Sequence, residues 1–182
     1  MCLAEYNNCF GITYNTSTEA CTPNVSNIIS PGQELFYHIR VCNEAMGFQL
    51  YTSGSLAQCF YISNEVINFT SAREICEARN SRMFMVKSSE KLDLLRLMVR
   101  TITQSQTWVG LTDIATEGNF VWADGESTAN VSLPIPWDEG QPDDADNEED
   151  CVEMGKSSVD FINDLQCYKT SRFICEAELS AY

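Results

Sequence analysis

Two short stretches of this 182-residue chain set oxygen ligands at spacings that a metal ion could use. In WDEGQPDDADNEEDC (137–151), Gln141 and Asp143 place an amide oxygen and a carboxylate on either side of the rigid Pro142. In INDLQC (162–167), Asn163 and Asp164 form a second amide–carboxylate pair. Between Asp138 and Asp150 lie eight carboxylates with no Lys or Arg among them. Burying any of these unpaired is costly or forces the group to neutralise. Three outcomes can relieve the crowding. The loop can stay solvated, it can meet distant cations, of which the chain has eleven, or it can hold a hard cation through oxygen ligands. The spacing favours the third. Glu149 and Asp150 directly precede Cys151, so a Cys151–Cys167 bridge would bring the two groups of oxygens together. An all-oxygen set suits Ca²⁺ and not Zn²⁺. It is not an EF-hand, because the sixth position counted from Asp144 is Glu149 where the tight turn needs Gly.

The elements that must position these ligands follow from periodicity. TSAREICEARN (70–80) predicts a helix, with Ser71 as cap, Glu74 closing a capping box, and Ala72, Ile75 and Cys76 facing inward. A second helix is expected from Ser88 or Ser89 through EKLDLLRLMVRTI, with Leu92, Leu95, Val99 and Ile102 on one face. CFYIS (59–63), TWVGLTD (107–113), NFVWADG (119–125), DCVEM (150–154) and RFICEAE (172–178) are short β-rich runs. Two helices followed by strands indicate an α+β domain. The stretch between Asp124 and Asp150 is long for a plain connection, and loops of that size are usually functional. Residues 1–41 differ in composition, being rich in Asn, Thr and Ser with Cys2, Cys9 and Cys21 and a strand-like ELFYHIRV (34–41). They are expected to form a separate segment before a main domain at 42–182.

Charge and cysteines bound the function. Net charge is −15, and from Thr101 to Gly155 there are thirteen acids and no Lys or Arg. That surface repels nucleic acid and anionic membranes and attracts cations. Nine cysteines and four N-x-[ST] sequons, at Asn15, Asn24, Asn68 and Asn130, point to a secreted, extracellular protein. The opening MCLAEYNNCF has neither a basic nor an apolar run and does not read as a leader, so the chain is expected to be a fragment whose odd cysteine lost its partner. No apolar run of membrane-spanning length occurs, and membrane insertion is not expected.

WVGL (108–111), FVWADG (120–125), W…GQPD (137–143), EDC (149–151), IND (162–164) and FICE (173–176), in that order, resemble the C-type lectin-like domain over about residues 42–178. The resemblance implies a C-type lectin fold with two helices, small antiparallel sheets, a long calcium-binding loop region and disulfide staples. It implies bridges Cys76–Cys175 and Cys151–Cys167, with Cys42–Cys59 as the added bridge of the long form. Closing a loop of about a hundred residues stabilises by on the order of 4–5 kcal/mol in the chain-entropy model, so the first bridge matters most. It further implies a principal Ca²⁺ site at Gln141, Asp143, Glu149, Asn163 and Asp164, with a cis bond before Pro142, and an auxiliary site at Asp113, Glu117, Asp144 and Asp150. Two ions would neutralise four charges, and the loop is expected to depend on them.

In the family the principal ion binds vicinal sugar hydroxyls, each also hydrogen-bonded by an amide and a carboxylate. Gln141, Asp143, Glu149 and Asn163 are thus the expected carbohydrate contacts. Gln and Asp around the proline resemble the galactose-type branch, so galactose- or N-acetylgalactosamine-terminated glycans on glycoproteins or cell surfaces are the expected partners. Where strong galactose binders carry an aromatic, this chain has Asp144, Ala145 and Asp146. The alternative keeps the fold and calcium but binds a protein or an ice surface. Trp108, Trp122 and Trp137 are expected in the core. Catalysis is not expected: the only histidine is His38, outside the main domain, so neither a His-based triad nor a zinc centre can be built there. Residues 2–23 resemble the middle of an apple/PAN module, with Cys2–Cys9 as a bridge. Single lectin sites bind weakly, and a homo-oligomer would supply avidity.

Overall fold

A computed structural model describes residues 12–15, 20–23, 40–53, 56–155 and 160–181. The chain divides into two compact units, Met1–His38 and Ile39–Tyr182. In the first, strands β1 (Ile12–Asn15) and β2 (Ala20–Pro23) form an antiparallel hairpin. His38 and the expected Cys2–Cys9 pair lie outside the described residues, as does most of 34–41.

The second unit opens with β3 (Arg40–Val41), which pairs with the last strand, β12 (Ser180–Ala181), joining the two ends of the unit. β4 (Gln49–Ser53) and β5 (Leu56–Ile62) follow as a hairpin, and Cys42–Cys59 ties the entry segment to it. Helix α1 (Phe69–Ala78) buries Phe69, Ala72 and Cys76, which recur at helical spacing. Its cap is not Ser71 but Asn68, whose side-chain oxygen accepts the Ser71 N–H at 2.9 Å. After β6 (Arg82–Met83) comes α2 (Ser89–Met98), capped by Ser88, whose hydroxyl accepts the Lys91 N–H. Leu92, Leu95 and Val99 are buried as the periodicity predicts, but Ile102 is 50% exposed. The cause is a π turn over Val99–Thr103, which adds a residue per turn and rotates Ile102 off the inward face.

β7 (Thr107–Thr112) is the central strand, hydrogen-bonded to β9 (Cys151–Met154) and, in parallel, to β11 (Arg172–Ala177). β8 (Val121–Trp122) adds to β7, β10 (Ile162–Leu165) to β9, β6 to β11, and β11 runs antiparallel to β5. Both faces of β7 are covered, which is why WVGL is buried throughout. Trp108 packs edge-on against Phe69 at 5.5 Å and donates its indole N–H to the Ile67 carbonyl at 2.9 Å. Gly110 is required where it stands: a Cβ would lie 2.8 Å from both the Cβ and the carbonyl oxygen of Met83. Trp108 and Trp122 are core residues, while Trp137 is half-buried with its ring 4.9 Å from Phe120. Cys76–Cys175 ties α1 to β11 across 99 residues of chain.

Candidate functional site

The long loop is anchored at both ends. Near its start, the Lys87 ammonium meets Asp124 at 2.5 Å and Glu126 at 2.6 Å. Burial alone would raise the Asp124 carboxyl, but the Lys87 hydrogen bond and charge outweigh it and hold that carboxyl below its ordinary value. Further along, the loop lies on β10: Ile162 N–H donates to the Pro136 carbonyl at 3.0 Å and Asp138 N–H to the Ile162 carbonyl at 2.9 Å. This parallel bridge brings residues 137–143 beside Asn163 and Asp164. Asn-Asp here is not a turn; both residues are buried in the strand. Cys151–Cys167 joins the start of β9 to the residue region after β10, 16 positions apart.

Around that junction, one carboxylate oxygen from each of Asp143, Glu149 and Asp164 lies within 4.8 Å of the others. Glu149 and Asp164 are 4% and 1% exposed, so two of the three charges sit away from water. The Gln141–Pro142 bond is cis. Asp164 accepts the N–H groups of Asp143 at 3.3 Å and Asp144 at 2.9 Å, one on each oxygen. The Gln141 side-chain oxygen accepts the Asp143 N–H at 3.2 Å. Glu149 accepts the Ala145 N–H, while its own N–H donates to the Asp144 carboxylate at 3.1 Å. The Asn163 amide, also buried, donates to the Asp164 carbonyl. Between the ligand-type residues the backbone is left-handed at three non-glycine positions, Asp144, Asp146 and Asn147. Asp and Asn tolerate this region better than other side chains do.

A second group forms beside it. Oxygens of Asp113, Glu117 and Asp150 also lie within 4.8 Å of one another. Asp144, the fourth residue expected there, makes its hydrogen bond to Glu149 instead, although its charge reaches Glu117. Asp113 is 2% exposed. One of its oxygens accepts the Gly118 N–H at 2.9 Å, and the other is buried without a hydrogen-bond partner. Burial pushes the Asp113 carboxyl above its ordinary value, with the Asp150 charge adding to the shift against the Gly118 bond. Partial loss of water and then the charges of Asp113, Asp144 and Asp150 push Glu117 up as well.

Among the described residues, none of Asp113, Glu117, Asp143, Asp144, Asp150 and Asp164 forms an ion pair with Lys or Arg. A buried unpartnered oxygen and two converging groups of carboxylate oxygens fit a hard divalent cation in the character of their donors. Among the described residues, Arg73, Arg82, Lys87, Lys91, Arg96 and Arg100 form ion pairs elsewhere, and sequence reasoning missed the buried example: Glu176 of FICE is 1% exposed and meets both Arg82 and Lys91. Its only sequence clue is an acid at an inward position of a β-rich run.

Comparison with known proteins identifies the family. The family model for the Lectin C-type domain matches residues 65–177. Perlucin of Haliotis laevigata is 29% identical over 126 residues, 68% of this chain and 79% of perlucin. Collectin-10 of Gallus gallus is 35% identical over 117 residues, 64% of this chain but only 40% of that protein. The mouse scavenger receptor C-type lectin carbohydrate-recognition domain superposes with a TM-score of 0.62 at 28% identity, covering 73% of this chain and 96% of that domain. The matched span, from just before α1 to the end of β11, contains both carboxylate groups and two of the three described disulfides. The chain belongs to the C-type lectin domain family.

Proposed function

We propose that this chain is a calcium-dependent lectin that binds galactose- or N-acetylgalactosamine-terminated glycans. The observation that carries the reading is the convergence of Asp143, Glu149 and Asp164 within 4.8 Å, next to Gln141 and Asn163. Those five residues would hold the principal Ca²⁺, and Asp113, Glu117, Asp144 and Asp150 an auxiliary one. The ion supplies a Lewis-acidic partner for two vicinal hydroxyls. Gln141 and Asn163 are the amide donors, and Asp143 and Glu149 the carboxylate acceptors, that fix the orientation of the diol. Gln141 before Pro142 and Asp143 after it set the order of donor and acceptor that supports the galactose assignment. Binding, rather than catalysis, is the chemistry such a set can perform.

The test is chromatography on immobilised galactose. The chain should be retained in calcium and released by chelator or free galactose, and exchanging Gln141→Glu with Asp143→Asn should move retention to immobilised mannose. A chain that binds calcium yet passes through both columns is a domain that contacts protein or ice, and the sugar reading fails. The rim residues Asp144, Ala145 and Asp146 offer no aromatic face to a sugar, which predicts weak single-site retention.

A further inference from the structure

Four sequons occur in the sequence, and nothing in the lectin site uses them. Two fall in the second unit, and their surroundings differ. Asn130 ends a short 3₁₀ turn (Thr128–Asn130) and is exposed. Among the described residues no hydrogen bond engages its carboxamide; the turn is held instead by the Asn130 N–H to the Ser127 carbonyl and the Val131 N–H to the Thr128 carbonyl. The chain then leaves in extended conformation, with Val131 at φ −99° and ψ 130°, and Ser132, whose hydroxyl completes the sequon, is exposed. Asn68 is half-buried, and its side-chain oxygen caps α1 through the Ser71 N–H. Its carbonyl accepts the Ala72 N–H, and the next residue, Phe69, is 3% exposed against Trp108.

We propose that Asn130, rather than Asn68, is the N-glycan acceptor of the second unit. An oligosaccharide on the amide nitrogen must project into water. Asn130 stands exposed on an open turn, whereas Asn68 is half-buried at the start of α1, its side-chain oxygen held by the Ser71 N–H and its neighbour Phe69 packed in the core. The donor is a lipid diphosphate-linked oligosaccharide, delivered by the transferase of the secretory route. The Asn130 amide nitrogen forms a bond to the anomeric carbon, the bond from that carbon to the diphosphate oxygen breaks, the lipid diphosphate leaves with the electron pair, and the nitrogen gives up one proton. Three described disulfides fit passage through such an oxidising compartment.

The full chain is to be secreted from a eukaryotic cell behind an added leader and digested to peptides after amidase deglycosylation in heavy-oxygen water. Asn130 is expected as heavy Asp, Asn68 as unchanged Asn, and both Asn130→Gln and Ser132→Ala should remove one glycan's mass from the intact protein. Peptides from Asn15 and Asn24 are read separately and do not enter the comparison. Unmodified Asn130, or heavy Asp at position 68, overturns the proposal. Ser132→Ala keeps the test valid if Asn130→Gln is not secreted.

Discussion

Withdrawing calcium should cost this domain a measurable share of its stability. Two buried carboxylates, Glu149 and Asp164, approach within 4.8 Å. At an effective dielectric of about 20, like charges at that separation repel by about 3–4 kcal/mol. Amide hydrogen bonds to Asp164 and Glu149 offset part of this but bring no positive charge. A divalent ion removes the repulsion in the folded state only, so it acts through linkage. At a hundredfold excess over Kd, one site stabilises by about 2.7 kcal/mol. For a domain of this size each kcal/mol moves Tm by about 2–4 °C, so one ion should raise it by roughly 5–11 °C and two by roughly twice that. The assay is thermal unfolding of the disulfide-bonded chain followed by circular dichroism, in calcium, in chelator, and in chelator with monovalent salt at matched ionic strength, since salt alone screens charge. Asp164→Asn should lose the larger part of the calcium-dependent rise. Coincident melting curves in calcium and chelator would refute the argument that these oxygens form a cation site.

Two further outcomes follow from the packing and the ion pairs. Gly110→Ala should destabilise by about 3 kcal/mol, since the new methyl meets the Met83 backbone carbonyl at 2.8 Å and both strands are hydrogen-bonded in place, a loss read by denaturant unfolding with an unchanged slope. Lys87→Met should cost about 1 kcal/mol at neutral pH in chelator. Because Lys87 depresses the Asp124 carboxyl, that contribution is present above the ordinary carboxylate range and vanishes as pH falls through the depressed value, so wild type and variant should converge in strong acid.

Motif residues with strong side-chain requirements were legible in the sequence. TWVGLTD predicted a strand with Trp108 in the core, and the family pattern predicted the three described disulfide pairs, all of which the structure contains. Local helix grammar was less readable. Ser71 and Glu74 imitate a capping box one turn inside α1, while Asn68 caps equally well and starts the helix earlier. The π turn that exposes Ile102 has no residue-level marker, since Val-Arg-Thr-Ile-Thr continues the helical pattern. Glu176 shows the limit of reading acids as surface: its partners Lys91 and Arg82 lie 85 and 94 positions away, beyond any local window. The two carboxylate groups were anticipated by type, but Asp144 turning to Glu149 depends on the left-handed backbone at Asp144 itself.

The carboxylate of Asp164 works in two directions. Because the main chain at 143 and 144 hangs from it, a cation arriving there meets an assembled frame and has no slack segment to gather. Capture should therefore be limited by shedding water from the ion, and the entropy lost on binding should be mostly the ion's own. Removing that one side chain would turn a rigid receptor into one that must be built anew at each encounter.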